Sequence, residues 1–252
     1  MLNVSTLEVS GFYGAILGMR NPFKNRDKSD SFEKNLDSEW GDEIGPKDLE
    51  LCQKLLRAGG DDDAKFMRMI HVQADVNAPL YWWKEFDTYK VATVANSEST
   101  MHAVMKYPFV LEDFAWDQLY NTGFELFEAE HEKGLIKTSV QPQHFLINYI
   151  IPVLNVCRER YLYAVERKDP QAHEIWYQLI QLLPSSYMQK RTIDLNYQTL
   201  RRIYFARRNH KLDEWHTFCD WIKTLDYGEE LITYAPGICD NVSYVGGSNA
   251  SN

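Results

Sequence analysis

The chain has 252 residues, of which 44% are hydrophobic and 13% aromatic, and its formal net charge is −9. This composition supplies enough apolar side chains for a core and excludes a disordered chain, while the acidic balance argues against a surface that coats nucleic acid. No run approaches the roughly 18 apolar residues of a membrane span, and the first residues lack the basic and apolar regions of a signal peptide.

The cysteine pattern limits the class further. Cys52, Cys157, Cys219 and Cys239 form no CxxC pair, so neither a zinc ribbon nor a disulfide framework is expected. Free thiols without a signal peptide predict a cytoplasmic protein. The three acids at 61–63 are interpreted as a solvated turn and not as a metal site.

The first part of the chain predicts a strand, a loop and a helix. Residues 1–20 are compatible with a strand and a turn, and residues 21–45, rich in Asn, Asp, Ser and Gly, predict a loop. A loop over a pocket and a loop without function both fit this composition. Residues 46–58 predict a helix, because Pro46 suits its first position and Gly59 its end.

The middle of the chain predicts one strand and two helices. Residues 66–76 are compatible with a strand, and residues 78–90 and 111–130 show helical spacing of aromatic side chains. One face of that strand would carry Met67, Met69, His71 and Gln73. We expect His71 to be packed and hydrogen-bonded rather than to act as a ligand.

The last third predicts mainly helices. Pro152 predicts a kink in the first of them, Pro184 ends the second, and a frayed tail is expected at 246–252. The helices are predicted at 143–167, 171–183, 195–208 and 212–225. The chain is therefore expected to form a single domain of a helix-rich mixed α/β class, with a modest sheet in its first half and a helical C-terminal half.

Short catalytic motifs are absent, but one segment is basic. The sequence has no GxGxxG, GxxxxGK[ST], GxSxG or HExxH, which weakens dehydrogenase, P-loop, hydrolase and zincin interpretations. The basic segment contains Lys190-Arg191, Arg201-Arg202 and Arg207-Arg208. Converging guanidinium groups suit a phosphate. A solvated basic face, paired with neighbouring acids, fits the same residues equally well.

The segment from 183 to 222 carries a family pattern. Asn196 follows Pro184 by twelve residues, Arg207 follows Asn196 by eleven, and Leu200 and Trp215 complete the match. This spacing resembles the C-terminal half of the flavin-dependent thymidylate synthases, which have a Leu-Pro, an Asn-x-Arg-x-Leu helix, a Leu-Arg and an Ala-Gln-Trp-Glu. The resemblance is to a divergent member and extends over about residues 66–225.

Several positions depart from the family pattern. Gln198 stands where the family has Arg, and Arg202 stands where it has Asn. Glu214-Trp215-His216 replaces Gln-Trp-Glu, and the basic residue usually found before Leu-Pro is absent from residues 178–182.

The first half matches more weakly. If Trp83 takes the family Trp position, Glu85-Phe86-Asp87 replaces an Arg-His-Arg signature, which reverses the local charge. Three explanations stay open. The register is shifted and Lys84 or Lys90 supplies the cation; the phosphate has moved toward Arg201, Arg202 and Arg208; or the family reaction is lost. Residues 85–102 are interpreted as a rebuilt pocket wall, with a capped helix and loop as the alternative.

The resemblance implies a homotetramer that binds FAD between subunits and methylates dUMP to dTMP, with methylenetetrahydrofolate as carbon donor and NADPH as reductant. It implies a catalytic role for Arg207 at the pyrimidine edge. It implies that Asn196 belongs to the flavin and nucleotide pocket, and Gln198, Arg202 and His71 are predicted to bind the cofactor with it. The residues predicted to bind the substrate are Glu85, Asp87, Tyr89, Lys90, Ser97, Ser99 and Arg201. A nucleotide- or flavin-binding homologue without turnover and an oligomeric interaction protein are the alternatives. Binding of nucleic acid, membrane or a metal is not expected.

Overall fold

The computed structural model describes residues 1–33, 43–59, 62–119, 128–131, 134–137 and 141–235. Part of the predicted loop, the predicted tail at 246–252 and Cys239 lie outside these residues. The strands are β1 Asn3–Ser10, β2 His71–Pro79, β3 Thr93–Ser97, β4 Glu128–His131, β5 Gly134–Lys137 and β6 Met188–Asn196. The α-helices are α1 Phe12–Met19, α2 Pro46–Ala58, α3 Leu80–Phe86, α4 Pro142–Phe145, α5 Ile151–Glu166, α6 Ala172–Leu182, α7 Tyr197–Arg207 and α8 Asp213–Lys223.

Short 3-10 and π turns separate several of these elements. The 3-10 turns are Asn21–Phe23, Arg26–Lys28, Lys65–Met69, Ala103–Met105 and Leu111–Asp113, and the π turns are Leu146–Ile150 and Gly228–Ile232. Two of the 3-10 turns fall within the predicted loop at 21–45, where composition favoured irregular backbone.

The main sheet joins strands from both halves of the chain. Within the described residues its order is β1-β2-β6-β3, and β4 pairs with β5 separately. Strands β3 and β6 run antiparallel, with Thr93 opposite Leu195 and Ser97 opposite Arg191. The predicted helix-rich mixed α/β class is confirmed. In the main sheet, β6 comes from the second half of the chain and the other three strands come from the first.

Most of the predicted helices are confirmed close to their expected bounds. Helix α2 begins at Pro46 and ends before Gly59, which has a φ of 80°. Helix α6 ends at Leu182, two residues before Pro184. The predicted helix at 143–167 comprises α4, the π turn and α5, and Pro152 is the second residue of α5. The last two predicted helices correspond to α7 and α8.

The predicted strand at 66–76 is wrong in its first half. Residues Lys65–Met69 form a 3-10 turn, and the strand begins at His71. His71 is exposed, because the alternation of exposed and buried side chains in β2 places it on the exposed face with Gln73. Met67 is buried and does not share that face.

The predicted helix at 111–130 is also wrong where it can be compared. Only Leu111–Asp113 form a helical turn, strand β4 occupies residues 128–131, and residues 120–127 lie outside the described chain. Tertiary hydrogen bonds override the helical pattern: the Ala115 N–H donates to the Ser186 carbonyl at 2.8 Å, and the side chain of Asn155 bonds both backbone groups of Phe109. Residues 1–20 likewise form helix α1 after the strand, where a turn was expected.

By internal contacts the chain divides into two compact units. The first, unit 1, takes the described residues within Met1–Glu8, Val72–Leu195 and Asn209–Phe218. The second, unit 2, takes those within Val9–His71, Asn196–Arg208 and Cys219–Asn252.

Unit 1 contains a cluster of large aromatic side chains. Trp82 lies between Trp83, Phe86, Trp215 and Phe218, with ring centroids 4.7 to 5.4 Å from its own. All five rings are almost completely buried. Each aromatic pair adds about 0.5–1.5 kcal/mol beyond area burial, so this cluster fixes α3 against the first residues of α8.

Unit 2 is built around Phe12, whose ring lies 5.5 Å from those of Tyr197 and Tyr227. Gly11 precedes helix α1 as its N-cap with a φ of 93°, and a Cβ there would lie 2.2 Å from the Met69 carbonyl oxygen. Only glycine allows this backbone approach, which places the Lys65–Met69 turn beside α1.

A buried carboxylate organises the start of α2 in unit 2. Asp48 is completely buried and accepts hydrogen bonds from Arg20 Nε at 2.5 Å, Ser29 Oγ at 2.6 Å and Ser31 Oγ at 2.7 Å. The backbone N–H groups of Asp30 and Ser31 also donate to it. Residues 29–31 of the predicted loop are therefore ordered by a charge inside the protein and not by local turn chemistry.

Candidate functional site

The two acids that replace the expected basic signature have donors within unit 1. Glu85, on α3, accepts a hydrogen bond from Trp215 Nε1 at 3.0 Å, and its carboxylate lies 3.4 Å from His210 Nε2. Asp87, at the end of α3, accepts from Arg191 Nη1 at 2.7 Å. Both carboxylates therefore have partners among this chain's own side chains, and the partner of Asp87 is a cation.

The guanidinium of Arg191 is held by Trp83, Gln189 and Asp87. Its central carbon lies 4.2 Å from the centre of the Trp83 ring, and its Nε donates to Gln189 Oε1 at 2.9 Å. The Gln189 carbonyl in turn accepts from Trp83 Nε1 at 2.8 Å. The sequence placed Arg191 in the basic segment without giving it a role; strand register and aromatic packing supply one, since they hold it against Asp87.

The remaining residues predicted to bind substrate follow α3 along the chain. Tyr89 is half-buried, with its ring 6.0 Å from that of Trp215. Lys90 is exposed, as are Ser97 at the end of β3 and Ser99, whose Oγ accepts from the Met101 N–H at 3.2 Å. Unit 1 therefore presents a lysine and two hydroxyl groups at its surface just beyond the two partnered acids.

In unit 2, the two side-chain amides predicted to bind a cofactor accept hydrogen bonds from within the unit at the first turn of α7. Asn196 is buried and its Oδ1 accepts from the Thr199 N–H at 2.9 Å, which makes it the N-cap of α7. Gln198 is also buried, and its Oε1 accepts a hydrogen bond from Arg68 Nε. Each amide oxygen therefore serves an internal contact.

The arginines of α7 differ in their surroundings. Arg201 is half-buried, and its Nη1 donates to the carbonyls of Leu231, Ile232 and Tyr234 at 2.7 to 3.2 Å. Burial lowers the pKa of its guanidinium. Arg202 is exposed, and Arg207 is half-buried at the last position of the helix. Arg201 thus holds the segment after α8, while Arg202 lies at the surface.

The cofactor residues predicted in unit 2 do come together, with one addition. The Tyr197 N–H donates to the Ile70 carbonyl at 3.0 Å, which places His71 and the Lys65–Met69 turn beside the start of α7. The addition is Arg68, which the sequence analysis missed. Its only signal was a single cation within an otherwise apolar run from 66 to 70.

The side chains of this cluster fit part of a flavin dinucleotide. The guanidinium groups of Arg68 and Arg202 have the donor geometry that phosphate oxygens require. The oxygen atoms of Asn196 and Gln198 are already used inside unit 2, so the fit lies in the charged residues.

Among the described residues, no group of three or more His, Cys, Asp or Glu could hold a metal ion. None of the described helices combines the length and apolar character needed to cross a membrane.

The chain has the fold of the flavin-dependent thymidylate synthases, which confirms the predicted resemblance at the level of fold. Thymidylate synthase X from Helicobacter pylori, in a structure with FAD and dUMP, is 13% identical with a TM-score of 0.58, over 92% of this chain and 97% of that one. A second structure of that enzyme with the same ligands is 14% identical with a TM-score of 0.57, over 91% of this chain and 97% of that one.

A further similar structure is the UMP/dUMP methylase PolB from Streptomyces cacaoi, bound with 5-Br dUMP. It is 13% identical with a TM-score of 0.53, over 89% of each chain. Neither a protein-family model nor a curated protein matches the sequence. The likeness therefore concerns the backbone, and the roles of individual residues rest on the site itself.

Proposed function

We propose that this chain is a flavin- and nucleotide-dependent enzyme that methylates dUMP. The observation that carries the proposal is a fold shared over nine-tenths of the chain with proteins crystallised with FAD and dUMP, combined with an arginine, Arg207, at the end of α7. A bound flavin would supply the redox chemistry, with methylenetetrahydrofolate as the carbon donor and NADPH as the reductant.

The chain's own residues would bind and orient the nucleotide. Arg207 would contact the pyrimidine edge and stabilise the negative charge that develops on the ring. Lys90 would supply the cation for a phosphate in unit 1, because Glu85 and Asp87 are held by Trp215 and Arg191. This choice corresponds to the shifted register among the three explanations for the lost Arg-His-Arg. In unit 1, Tyr89, Ser97 and Ser99 remain proposed substrate contacts, and in unit 2 Arg201 does.

The partnered acids also favour a second function. A homologue that binds flavin or nucleotide without turnover would tolerate Glu85 and Asp87, since these carboxylates stabilise Trp215 and Arg191 and need not face a substrate. In that case dUMP would still raise the melting temperature of the protein, but NADPH would not be consumed.

Flavin binding tests the proposal. The purified protein, titrated with FAD, is expected to acquire the flavin absorption bands and to quench flavin fluorescence. Addition of dUMP is then expected to raise the melting temperature, because a ligand that binds only the folded state stabilises it. A protein that gains no flavin band with added FAD and shows no shift with dUMP would contradict both candidate functions.

A homo-oligomer, a tetramer by resemblance, is part of the proposal. The segment from α4 to α6 exposes large apolar side chains, including Tyr149, Val153, Val156, Tyr163 and Tyr177. Tyrosine and aliphatic groups exposed together favour a protein interface. We expect a solution mass of several chains by sedimentation equilibrium, and a mass of one chain would contradict it. The cytoplasmic location stays a prediction from the cysteine pattern.

A further inference from the structure

Position 198 has lost a cation relative to the pattern that the chain resembles. Gln198, the second residue of α7, stands where that pattern has arginine. A neutral amide cannot replace a guanidinium as a partner for an anion, because the charge-assisted hydrogen bond is about twice as strong as the neutral one. If the ligand is still an anion, another residue has to supply the charge.

Arg68 places a guanidinium group at this position from another part of the chain. Its Nε donates to Gln198 Oε1, although the two residues are 130 positions apart in the sequence. Gln198 is 6% exposed, whereas Arg68 is exposed. The buried amide therefore holds the Nε of an arginine that is itself exposed.

Backbone contacts on both sides fix the turn that carries Arg68. The Ile70 carbonyl accepts from the Tyr197 N–H at 3.0 Å, so the end of the 3-10 turn is bonded to the first residue of α7. Gly11 permits the close approach of the Met69 carbonyl on the other side. A guanidinium on such a turn loses less conformational entropy on binding a ligand than one on a free loop.

A second cation lies one helical turn from Gln198. Arg202 follows Gln198 by four residues on α7 and is exposed. Residues at this spacing are neighbours on the surface of a helix, about 5–6 Å apart at their Cβ atoms. Arg68 and Arg202 thus flank Gln198, and their planar forks suit the oxygens of a phosphate.

We propose that Arg68 binds the phosphate of a nucleotide ligand and takes the place of the arginine that position 198 lacks. The identity of the ligand rests on the proposed function. Phosphate is common to the pyrophosphate of FAD and to the monophosphate of dUMP, and the cluster with Arg202 and His71 favours FAD.

Matched ligands with and without phosphate test this role. Arg68→Gln is expected to weaken the affinity for FAD about 10- to 100-fold, which corresponds to the loss of one hydrogen bond to a charged group. Affinity for riboflavin, which has no phosphate, should be unchanged. Titrations with dUMP and deoxyuridine distinguish the other source: a loss confined to dUMP assigns the phosphate of the substrate to Arg68.

Two further variants separate position from charge. Arg68→Gln combined with Gln198→Arg returns the guanidinium to α7 and is expected to restore most of the lost affinity. Lys65→Gln removes a cation from the same 3-10 turn, where Lys65 pairs with Asp62 at 3.2 Å, and should leave affinity unchanged. Arg68→Lys keeps the positive charge on an aliphatic side chain but removes the planar guanidinium. It replaces Arg68→Gln in these titrations if the glutamine variant fails to fold, and it tests whether the guanidinium itself is required.

The outcomes are distinct for the inference and for the proposed function. Unchanged affinity of Arg68→Gln for both FAD and dUMP would overturn the inference alone, as would an equal loss of riboflavin and FAD binding or failure of the double variant to recover. Absence of FAD and dUMP binding in the unaltered protein would instead overturn the proposed function, and the inference with it.

Discussion

Replacing Asp48 by asparagine is expected to lower the free energy of unfolding by about 3–5 kcal/mol at pH 7. This is the cost of removing one partner of a buried ion pair, because the remaining charge is left without compensation. Here the remaining charge is Arg20, which is 6% exposed and lies 2.5 Å from the carboxylate. Urea unfolding followed by circular dichroism measures the difference.

The same carboxylate gives this contribution a defined pH dependence. Burial would raise the pKa of Asp48, but hydrogen bonds from Ser29, Ser31 and Arg20 and the charge of Arg20 outweigh it and hold that pKa below its ordinary value of 3.8. As the pH falls, the unfolded carboxyl, with a pKa near 3.9, therefore binds its proton first. The stabilisation is complete above about pH 4 and is lost as the pH falls through the folded-state pKa.

The Asp48→Asn variant should lack this acid-dependent stabilisation. The difference in unfolding free energy between it and the unaltered protein is therefore expected to narrow below about pH 4. Asp27→Asn is the matched control, because Asp27 is exposed in the same segment and its loss should change stability by less than about 0.5 kcal/mol. Equal unfolding free energies for Asp48→Asn and the unaltered protein would contradict the structural role of this carboxylate.

Replacing Arg207 by glutamine is expected to lower kcat/KM for dUMP about 100- to 1000-fold. That range is typical for the loss of one donor that stabilises charge in a transition state. The effect should fall mainly on kcat, since the charge on the ring develops during the reaction and not on binding. Arg207→Lys retains the charge without the planar fork, and its kcat/KM is expected to lie between that of the unaltered protein and that of Arg207→Gln.

Lys223→Gln provides the control for charge. Lys223 is a surface cation of unit 2 at the end of α8, where it pairs with Asp220 at 2.8 Å, so its removal lowers the net charge equally. Its kcat/KM should match that of the unaltered protein. An Arg207→Gln protein with unchanged kcat would remove Arg207 from the reaction and leave only a binding role for α7.

Features encoded within a few neighbouring residues could be predicted from the sequence. Pro46 and Gly59 delimit α2, and Pro184 follows the end of α6, because these residues restrict their own backbone. The resemblance that implied the fold rested on Pro184, Asn196, Leu200, Arg207 and Trp215, and two of these residues, Asn196 and Arg207, delimit α7.

Features that depend on distant contacts could not be predicted. The backbone at 109–115 is held by Asn155 and Ser186, so its helical periodicity did not produce a helix. The partners of Glu85 and Asp87 come from α8 and β6, more than 100 residues further along the chain. Arg68 and Gln198 meet for the same reason, through packing that no local pattern records.

Formation of dTMP is the most direct test of the proposed function. The purified protein is incubated with FAD, dUMP, methylenetetrahydrofolate and NADPH, and nucleotides are separated by chromatography. We predict that dTMP accumulates over many turnovers, that NADPH is consumed in proportion, and that omission of any one component stops the reaction. Binding of FAD and dUMP without any dTMP would contradict the enzymatic claim and assign the chain to the binding homologue instead.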